Sequence, residues 1–534
     1  MDKNNDIEVR TPMVEAVLKA YRQGQEDEEL EPIIACDDAG TPIGRLENDD
    51  YVIFYDIRGE REIEITKSLT EKDFSDFPVK ENNLLNFVTM IEYHSDLKAK
   101  VAFPPPGRVR NSLAEVISNA GIQFCKISES EKAVHVGYFF NGRSEIIFPG
   151  EERIVVPSPE GISSFSEKPE MSIESVCKKV LSKLKDPKER ILFANFANAD
   201  VVGHTEDREA VITAVESVDL ELGKVFDFCK QNGVTLLVTA DHGTVEEWLY
   251  PDGTINTGHT NNLVPFVLAD FSVEYPENIK LKSEGELSNI APTILQLLDL
   301  ECPPDIKSES LVVDGLKESD PNSKILLLIL DGWGLNESKK GNMIHAANTP
   351  HFDHLWSQYP HAKLKASGEA VGMPEGTVGN SEAGHLHIGA GRRVLLDRVR
   401  IDKAIADKSF FRNKVFLETM EEVKSKQKPL HLLGIVSHYS SHGTIDYLFS
   451  LLKLAKEKGI ERVYIHSLIG RRGEKPESGA IYISKVENMC RQVSLGALST
   501  VMGRFWALDR EENWDRVQKA YQALVLGEGK KVNI

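Results

Sequence analysis

The chain has 534 residues, 41% of them hydrophobic, so it is too long for one ordinary core and predicts two domains. With 63 basic and 83 acidic residues its net charge is −20, which argues against a general nucleic-acid binder, because phosphate backbones attract basic surfaces. No apolar run is long enough to span a bilayer, and the N-terminus has no apolar signal region. The six scattered cysteines form no C-x-x-C pair, so we expect a cytoplasmic protein with reduced thiols and no membrane partner.

The first hundred residues predict a helix and a strand that leads into two arginines. Apolar residues at helical spacing predict a helix over 11–25, and alternation predicts a strand over 50–57. Arg58 and Arg61 follow this strand, and they either clamp an anion or form a solvated pair with neighbouring glutamates. Three consecutive prolines at 104–106 make a stiff extended segment, where we place a domain boundary.

Between residues 107 and 300 predicted helices and strands alternate. Lys132 is predicted to begin a strand that ends near Asn141, so that its side chain either reaches a cleft or lines the strand. This alternation is typical of a doubly wound parallel α/β sheet. The remaining elements are helices over 111–120, 172–184 and 209–229, and buried strands over 191–196 and 234–239.

The last part of the chain opens with a polar, aperiodic stretch over 301–323, which predicts a linker or surface excursion. A buried strand over 324–330 follows and ends at Asp331. The Gly-rich loop after it carries Ser381, a candidate nucleophile, and its glycines suit close approach of the backbone to an anion. A helix over 445–454 and a strand over 462–468 complete the pattern.

Carboxylates and imidazoles follow the two buried strands of the middle region. Such a mixed set suits Mn²⁺ or Zn²⁺ better than Mg²⁺ or Ca²⁺, which favour oxygen ligands alone. The alternative is that these side chains are helix caps and hydrogen-bonding groups of the core. The candidate ligands are Asp200, His204, Asp241, His242 and His259.

Five motifs carry a resemblance to a known family. They are Ile329-Leu-Asp331-Gly-Trp-Gly334, Gly379-Asn-Ser381-Glu-Ala-Gly-His385, Asn195-Phe-Ala-Asn-Ala-Asp200-Val-Val-Gly-His204, Thr239-Ala-Asp241-His242-Gly243 and Gly258-His259-Thr260. Together they resemble the cofactor-independent (2,3-bisphosphoglycerate-independent) phosphoglycerate mutases of the alkaline phosphatase superfamily, over nearly the whole chain. These are metal-dependent isomerases of glycolysis and gluconeogenesis.

The order of the motifs is rotated relative to that family, in which the Asp-Gly-Trp-Gly strand comes first, so the chain resembles a circularly permuted member. The resemblance implies an alkaline-phosphatase-like, doubly wound α/β domain over 105–396, which binds the metals. It also implies a second α/β, transferase-like domain, discontinuous over 1–104 and 397–534, which binds the substrate. We expect a monomer with a small phosphorylated metabolite as its partner.

The resemblance implies a role for each matching residue. Ser381 is the phosphorylated nucleophile, Lys132 lies near the phosphate, and His442 contacts the substrate. The implied cofactors are two divalent ions, Mn²⁺ first, with Zn²⁺, Co²⁺ or Mg²⁺ as alternatives. One ion is held by Asp200, His204 and His259, and the other by Asp331, Ser381, Asp241 and His242. The implied substrate-binding arginines are Arg58, Arg61, Arg472, Arg504 and Arg510.

The implied reaction interconverts 3-phosphoglycerate and 2-phosphoglycerate through phosphoserine, with water kept away from the intermediate. Two loops depart from the family. Its Asp-Gly-Arg-Asp element reads Gly470-Arg-Arg-Gly473, which lacks both acids, and its Ser-Asp-Gly-Gly-Val-His segment reads Ser437-His-Tyr-Ser-Ser-His442. Thr444 or Asp446 is a candidate to compensate for the missing acids. The alternative function is a metal-dependent phosphatase or mutase acting on another small phosphorylated metabolite, and a further alternative is a relic that only binds ligand.

Overall fold

Two compact units make up the chain in this computed structural model, which describes residues 7–80, 85–105, 107–250, 252–273, 279–316, 323–438, 440–470 and 477–534. Unit 1 combines Met1–Pro105 with Arg400–Ile534, and unit 2 is Pro106–Val399. Each unit has its own hydrophobic core and a large, mostly parallel sheet, so the predicted α/β class is confirmed. The circular permutation stays a prediction.

The strands are numbered in chain order. They are β1 Ile33–Cys36, β2 Tyr51–Phe54, β3 Asn86–Ile91, β4 Lys100–Phe103, β5 Phe124–Glu129, β6 Glu151–Val156, β7 Ile191–Phe196, β8 Thr235–Thr239, β9 Val264–Asp270, β10 Lys280–Leu281, β11 Glu284–Glu286, β12 Val312–Asp314, β13 Ile325–Leu330, β14 His361–Lys365, β15 Leu430–Ile435, β16 Val463–Ile469, β17 Ala497–Gly503 and β18 Lys530–Asn533.

The α-helices are numbered in the same way. They are α1 Pro12–Arg22, α2 Ile63–Thr70, α3 Leu113–Asn119, α4 Ile173–Lys185, α5 Asn198–Gly203, α6 Arg208–Asn232, α7 Ile290–Leu297, α8 Met343–Ala346, α9 Pro350–Gln358, α10 Ser381–Ala390, α11 Asp397–Ala406, α12 Lys414–Ser425, α13 Ile445–Glu457, α14 Gly479–Val493, α15 Arg504–Ala507 and α16 Trp514–Tyr521. Within the described ranges, none of them combines the length and apolar character needed to cross a bilayer.

The sheet of unit 2 has the order β11-β14-β9-β8-β13-β7-β5-β6. Its five strands from β8 to β6 run parallel, and all but the edge strand β6 are buried along their whole length, as expected for strands covered on both faces. β13 lies in the centre, and its Ile329 is in register with Asn195 of β7 and Thr239 of β8. Because parallel strands end at the same edge, the segments that follow these three strands meet there.

The sheet of unit 1 has the order β18-β1-β17-β16-β15-β2-β3-β4, and the six strands from β17 to β4 run parallel. The segments after β2, β15, β16 and β17 therefore leave from one edge. Arg58 follows β2, His442 follows β15, and Arg504 directly follows β17. The fold thus places three sequence-predicted substrate residues on the same side of this sheet.

One local prediction was wrong, that of a strand from Lys132 to near Asn141. Residues 130–132 form a 3-10 turn and His135–Phe139 a π-helical turn, because β5 is already paired with β6 and β7 and leaves no neighbouring position for another strand. The helix predicted over 172–184 is α4, and Ser172 before it donates its hydroxyl to the carbonyl of Pro157. Within the stretch predicted as a linker or surface excursion, residues 312–314 form β12, which pairs with β10.

Candidate active site

Three aspartates lie at the carboxyl edge of the unit 2 sheet. Asp331 directly follows β13, Asp241 comes two residues after β8, and Asp200 lies in α5, the short helix after β7. All three side chains are buried. Strand register and the short connections after the strands bring them together, although the chain places Asp331 far from the other two.

Two histidines join Asp200 to form the first group. His204 lies one helical turn after Asp200, and its Nε2 is 3.3 Å from Oδ1 of Asp200. Nε2 of His259 lies 3.4 Å from the same oxygen and 3.3 Å from Nε2 of His204. One carboxylate and two imidazoles thus converge on one point, with Nδ1 of each ring within hydrogen-bond distance of a backbone carbonyl.

The second group surrounds the hydroxyl of Ser381. Oγ of Ser381 lies 3.0 Å from Nε2 of His242 and 3.2 Å from Oδ1 of Asp331. The same His242 nitrogen is 3.5 Å from both Asp331 and Asp241. Ser381 is the first residue of α10, whose side-chain cap is Asn380, and a helix N-terminus stabilises negative charge on the oxygen.

The ammonium of Lys132 lies between these groups. Its Nζ is 2.6 Å from Oδ2 of Asp200, 2.7 Å from Oδ1 of Asp331 and 2.7 Å from Oγ of Ser381. Burial lowers the pKa of Lys132, but the neighbouring aspartates outweigh it and hold that pKa above its usual range. For Asp200, burial raises the pKa, and Lys132 and His242 lower it further than that, to well below the usual range. An ion-paired lysine ammonium is therefore the expected state at neutral pH.

The donor set suits divalent cations. Three carboxylates, three imidazoles and one hydroxyl surround the ammonium of Lys132, and Oδ2 of the buried Asp241 has ring nitrogens of His385 and His242 at 3.3 and 3.5 Å. Two sets of three donor-bearing residues have their ligand atoms within 4.8 Å of one another. They are Asp200 with His242 and His259, and Asp241 with Asp331 and His385. Such mixed oxygen and nitrogen donors suit transition metals.

Two neighbours of these groups were not singled out from the sequence. Nδ2 of Asn195 donates to Oδ2 of Asp331 at 2.7 Å and lies 3.1 Å from Nε2 of His385. Nδ1 of His385 is 2.9 Å from the carbonyl of Ser381 and 3.3 Å from Oδ2 of Asp241. Both ring nitrogens of His385 are engaged, so this residue orients the acids and the serine helix. The signal available in the sequence was the spacing of His385, four residues after Ser381 on one helix.

A third residue missed from the sequence is Glu246, a buried acid that ties together the loops around the site. Its carboxylate accepts from the amides of Thr244 at 2.9 Å and Gly334 at 3.2 Å, and from the side chain of Asn262 at 3.0 Å. It also accepts from the hydroxyl of Thr260, next to His259. Glu246 therefore links the segments that carry Asp331, His242 and His259.

In unit 1 the predicted arginines Arg58, Arg61, Arg504 and Arg510 lie near one another. Glu60 pairs with Arg58 and, at 3.1 Å, with Arg510, while Arg504 pairs with Glu28 at 2.7 Å. Arg61 makes no described ion pair and donates to the carbonyl of Leu508. Burial lowers the pKa of Arg61, and the charges of Arg510, Arg58 and Arg504 lower it further. Arg472 lies outside the described residues.

His442 lies beside this cluster and is fully buried. Its Nδ1 is 2.6 Å from Oε1 of Glu62, and Asp56 lies close to both. Thr444 and Asp446 are not in this group, because Thr444 is the N-cap of α13 and accepts from the amide of Asp446. The acids around His442 are therefore Asp56 and Glu62, which the sequence had not indicated.

Carboxylates, imidazoles and a serine gathered at the edge of a parallel sheet are typical of metal-dependent enzymes that transfer a group through a covalent intermediate. Comparison with protein families agrees. The family model described as Metalloenzyme superfamily matches residues 11–302, which is more than half of the chain. The chain therefore belongs to that superfamily. Residues 401–534 match a second family, described as BPG-independent PGAM N-terminus (iPGM_N).

Individual relatives share a part of the chain. It is 46% identical over 209 residues to the 2,3-bisphosphoglycerate-independent phosphoglycerate mutase of Clostridium perfringens (strain SM101 / Type A), covering 39% of this chain and 41% of that protein. The chain is 48% identical over 208 residues to the enzyme of the same name from Moorella thermoacetica (strain ATCC 39073 / JCM 9320). This match covers 39% of this chain and 40% of that protein. The chain thus spans about two fifths of the length of these curated relatives. A Leishmania mexicana phosphoglycerate mutase, crystallised at low cobalt concentration, gives 29% identity and a TM-score of 0.37, covering 52% of this chain and 53% of that one.

Proposed function

We propose that this chain interconverts 3-phosphoglycerate and 2-phosphoglycerate, with Ser381 carrying the phosphoryl group between the two positions. The contact of Oγ of Ser381 with Lys132, His242 and Asp331 carries this proposal, because a serine needs such an environment to act as a nucleophile. The substrate class is supported by the name of the relatives and by the iPGM_N match.

Ser381 attacks phosphorus as an alkoxide. The ammonium of Lys132, at 2.7 Å, and the N-terminus of α10 both stabilise negative charge on Oγ. After the attack the same ammonium is placed to donate to a phosphoryl oxygen. His385 and Asn195 hold Ser381 and Asp331 in position throughout.

Two divalent ions complete this site. We assign one to Asp200, His204 and His259, and the other to Asp331, Ser381, Asp241 and His242. Mn²⁺ suits the mixed donors, with Zn²⁺, Co²⁺ and Mg²⁺ as alternatives. When bound, the ions supply the positive charge that activates the serine oxygen and stabilises the transferring phosphoryl group.

The arginine cluster of unit 1 binds the anionic substrate. Arg61 makes no described ion pair and lies near Arg58, Arg504 and Arg510, and guanidinium forks match carboxylate and phosphate oxygens. Arg472 joins this set through the resemblance. We accordingly assign the phosphatase-like role to unit 2 and the transferase-like role to unit 1, and the division of the chain at Pro105 and Arg400 supports the assignment. Monomeric state and cytoplasmic location stay predictions.

The test uses the purified full chain, supplied with Mn²⁺ and 3-phosphoglycerate. We expect 2-phosphoglycerate as the product and a phosphorylated peptide that contains Ser381. Ser381→Ala removes both, whereas Ser357→Ala, an exposed hydroxyl on α9, changes neither. Activity that survives Ser381→Ala would contradict the proposal.

A second function is favoured by the loops that depart from the family. Residues 470–473 lack both acids, so the site is open to a different phosphorylated metabolite or to hydrolysis of the phosphoserine. That alternative predicts phosphate release without 2-phosphoglycerate in the same assay. Product analysis therefore decides between the two.

A further inference from the structure

Three ionisable side chains are packed together in the interior of unit 1. Asp56, Glu62 and His442 are each fully buried, and their oxygen and nitrogen atoms lie within 4.8 Å of one another. Each keeps one atom without a hydrogen-bond partner among the described residues: Oδ2 of Asp56, Oε2 of Glu62 and Nε2 of His442. A buried polar atom left in this state costs about 1–3 kcal/mol, and three of them meet in this one cluster.

Glu62 fixes the orientation of His442. Nδ1 of the imidazole lies 2.6 Å from Oε1 of Glu62, which leaves Nε2 as the ring atom available to another group. The backbone holds the ring in place as well, because the carbonyl of His442 accepts from the amide of Ile57, and its amide donates to Ser440. A carboxyl on one ring nitrogen and a free second nitrogen is the arrangement that makes histidine an acid–base catalyst.

The charges around the pair decide which ligand it serves. The charged groups that act on His442 are Asp56 and the three arginines Arg504, Arg58 and Arg61, and the three guanidinium groups favour an anionic ligand. Burial lowers the pKa of His442 to about 4 and raises that of Glu62 to about 8, with Asp56, Glu60 and the same arginines as the other charged neighbours. At neutral pH the pair then carries a proton on Glu62 beside a neutral imidazole.

We propose that Glu62 and His442 form the acid–base pair for the hydroxyl groups of glycerate, with His442 as the catalytic residue and Glu62 as its positioning residue and proton partner. This inference rests on the mutase reaction proposed above. It explains how the chain operates although residues 470 and 473 are glycines where the family has acids. Asp56 is the third buried residue of this cluster, and its Oδ1 accepts from the amide of Ile435 at 2.7 Å.

The proton balance closes over one cycle. In the first half-reaction the Ser381 alkoxide forms a bond to phosphorus, the bond from phosphorus to the 3-oxygen breaks, and that oxygen takes the proton from Nε2 of His442 while Glu62 protonates Nδ1. In the second, the 2-oxygen forms its bond to phosphorus and gives its proton to Nε2, and Nδ1 returns its proton to Glu62. The bond from phosphorus to Oγ breaks, and Oγ keeps the electron pair beside Lys132.

The test compares Glu62→Gln, Glu62→Asp and wild type in the full chain with Mn²⁺. Glutamine keeps the size of the side chain but cannot pass a proton, so we expect kcat for 2-phosphoglycerate to fall about 100-fold with KM nearly unchanged. Phosphate release from phosphoserine, which needs no proton from glycerate, should fall less, so the ratio of phosphate to 2-phosphoglycerate rises. Glu62→Asp should recover part of the lost kcat, and the matched control Glu64→Gln on α2 should behave as wild type.

The possible outcomes distinguish a failure of the proposed acid–base pair from a failure of the proposed function. Wild-type kcat, product ratio and pH profile in Glu62→Gln would overturn the pair and leave the mutase intact. A wild-type chain that forms phosphoserine at Ser381 but releases only phosphate would also overturn it, while the serine chemistry stands. A chain that forms no phosphoserine overturns the proposed function and this inference together.

Discussion

The ammonium of Lys132 lies 2.7 Å from the hydroxyl oxygen of Ser381, and the same nitrogen contacts Asp200 and Asp331. Lys132 comes from the turn after β5, Asp331 from the end of β13 and Ser381 from the start of α10. Three separate elements are therefore joined through one buried cation. This cation neutralises acids that would otherwise repel one another, and in the proposed reaction it also stabilises the serine alkoxide.

The first prediction concerns this lysine. Lys132→Gln removes the positive charge next to Oγ of Ser381, so we expect the rate of Ser381 phosphorylation by 3-phosphoglycerate to fall about 100- to 1000-fold. Rapid-quench sampling followed by mass spectrometry of the Ser381 peptide measures this rate. Lys178→Gln, an exposed lysine paired with Glu174, is the control. An unchanged rate in Lys132→Gln would show that the ammonium is only structural.

The second prediction concerns the metal ions. Asp200→Asn and Asp331→Asn each remove a charged ligand, so we expect metal content after dialysis against Mn²⁺ to fall by about one equivalent per chain in each variant. Chelation of wild type should abolish Ser381 phosphorylation, and added Mn²⁺ should restore it. The matched control is Asp219→Asn, a buried acid that accepts from the amides of His351 and Phe352. Full metal content in both ligand variants would count against the assigned site.

The sequence was sufficient to predict where the acids that follow apolar strands lie in the fold. Asp331 and Asp241 follow runs that are buried along their whole length, and such runs predict parallel strands with their carboxyl ends at one edge. His385 and Asn195 stand in the motifs that carry the resemblance, but no role was predicted for either, because their contacts with Asp241 and Asp331 depend on the fold. Gly384 was expected near an anion, but a Cβ there would lie 2.5 Å from the carbonyl of Asp241, so its glycine serves helix packing against the site.

Glu62 shows why other contacts of the site residues could not be predicted from the sequence. It meets His442 across 380 positions of chain, and only the adjacency of β2 and β15 brings the two together. Local sequence suggested that Glu60 and Glu62 pair with Arg58 and Arg61. In the structure Glu60 does so with Arg58, whereas Glu62 turns to the imidazole. Strand order, which no local pattern encodes, decided between these partners.

The third prediction concerns the loops that carry the metal ligands. Glu246→Gln replaces an acceptor oxygen by an NH₂ group where donors surround both oxygens, so at least one bond is lost and we expect unit 2 to lose about 2 kcal/mol of stability. Urea unfolding followed by tryptophan fluorescence measures the loss. Glu247→Gln, a partly exposed neighbour that accepts from Asn262, should cost much less. Equal losses of stability in the two variants would show that Glu246 contributes no more to the stability of unit 2 than Glu247 does.

The fourth prediction concerns the pH dependence of stability through Glu129. Burial raises the pKa of this carboxyl from 4.5 to about 7, although its Oε1 accepts from the amide of Ser172. The folded state therefore binds the proton more tightly than the unfolded state. The resulting stability is fully present below pH 4.5 and is lost as pH rises towards 7. Glu129→Gln mimics the protonated carboxyl, so relative to wild type it should gain on the order of 2 kcal/mol between pH 4.5 and pH 8. Calorimetric unfolding at both pH values measures the difference, with exposed Glu131→Gln as the control. A difference between variant and wild type that does not change with pH would contradict the burial of a neutral acid at this position.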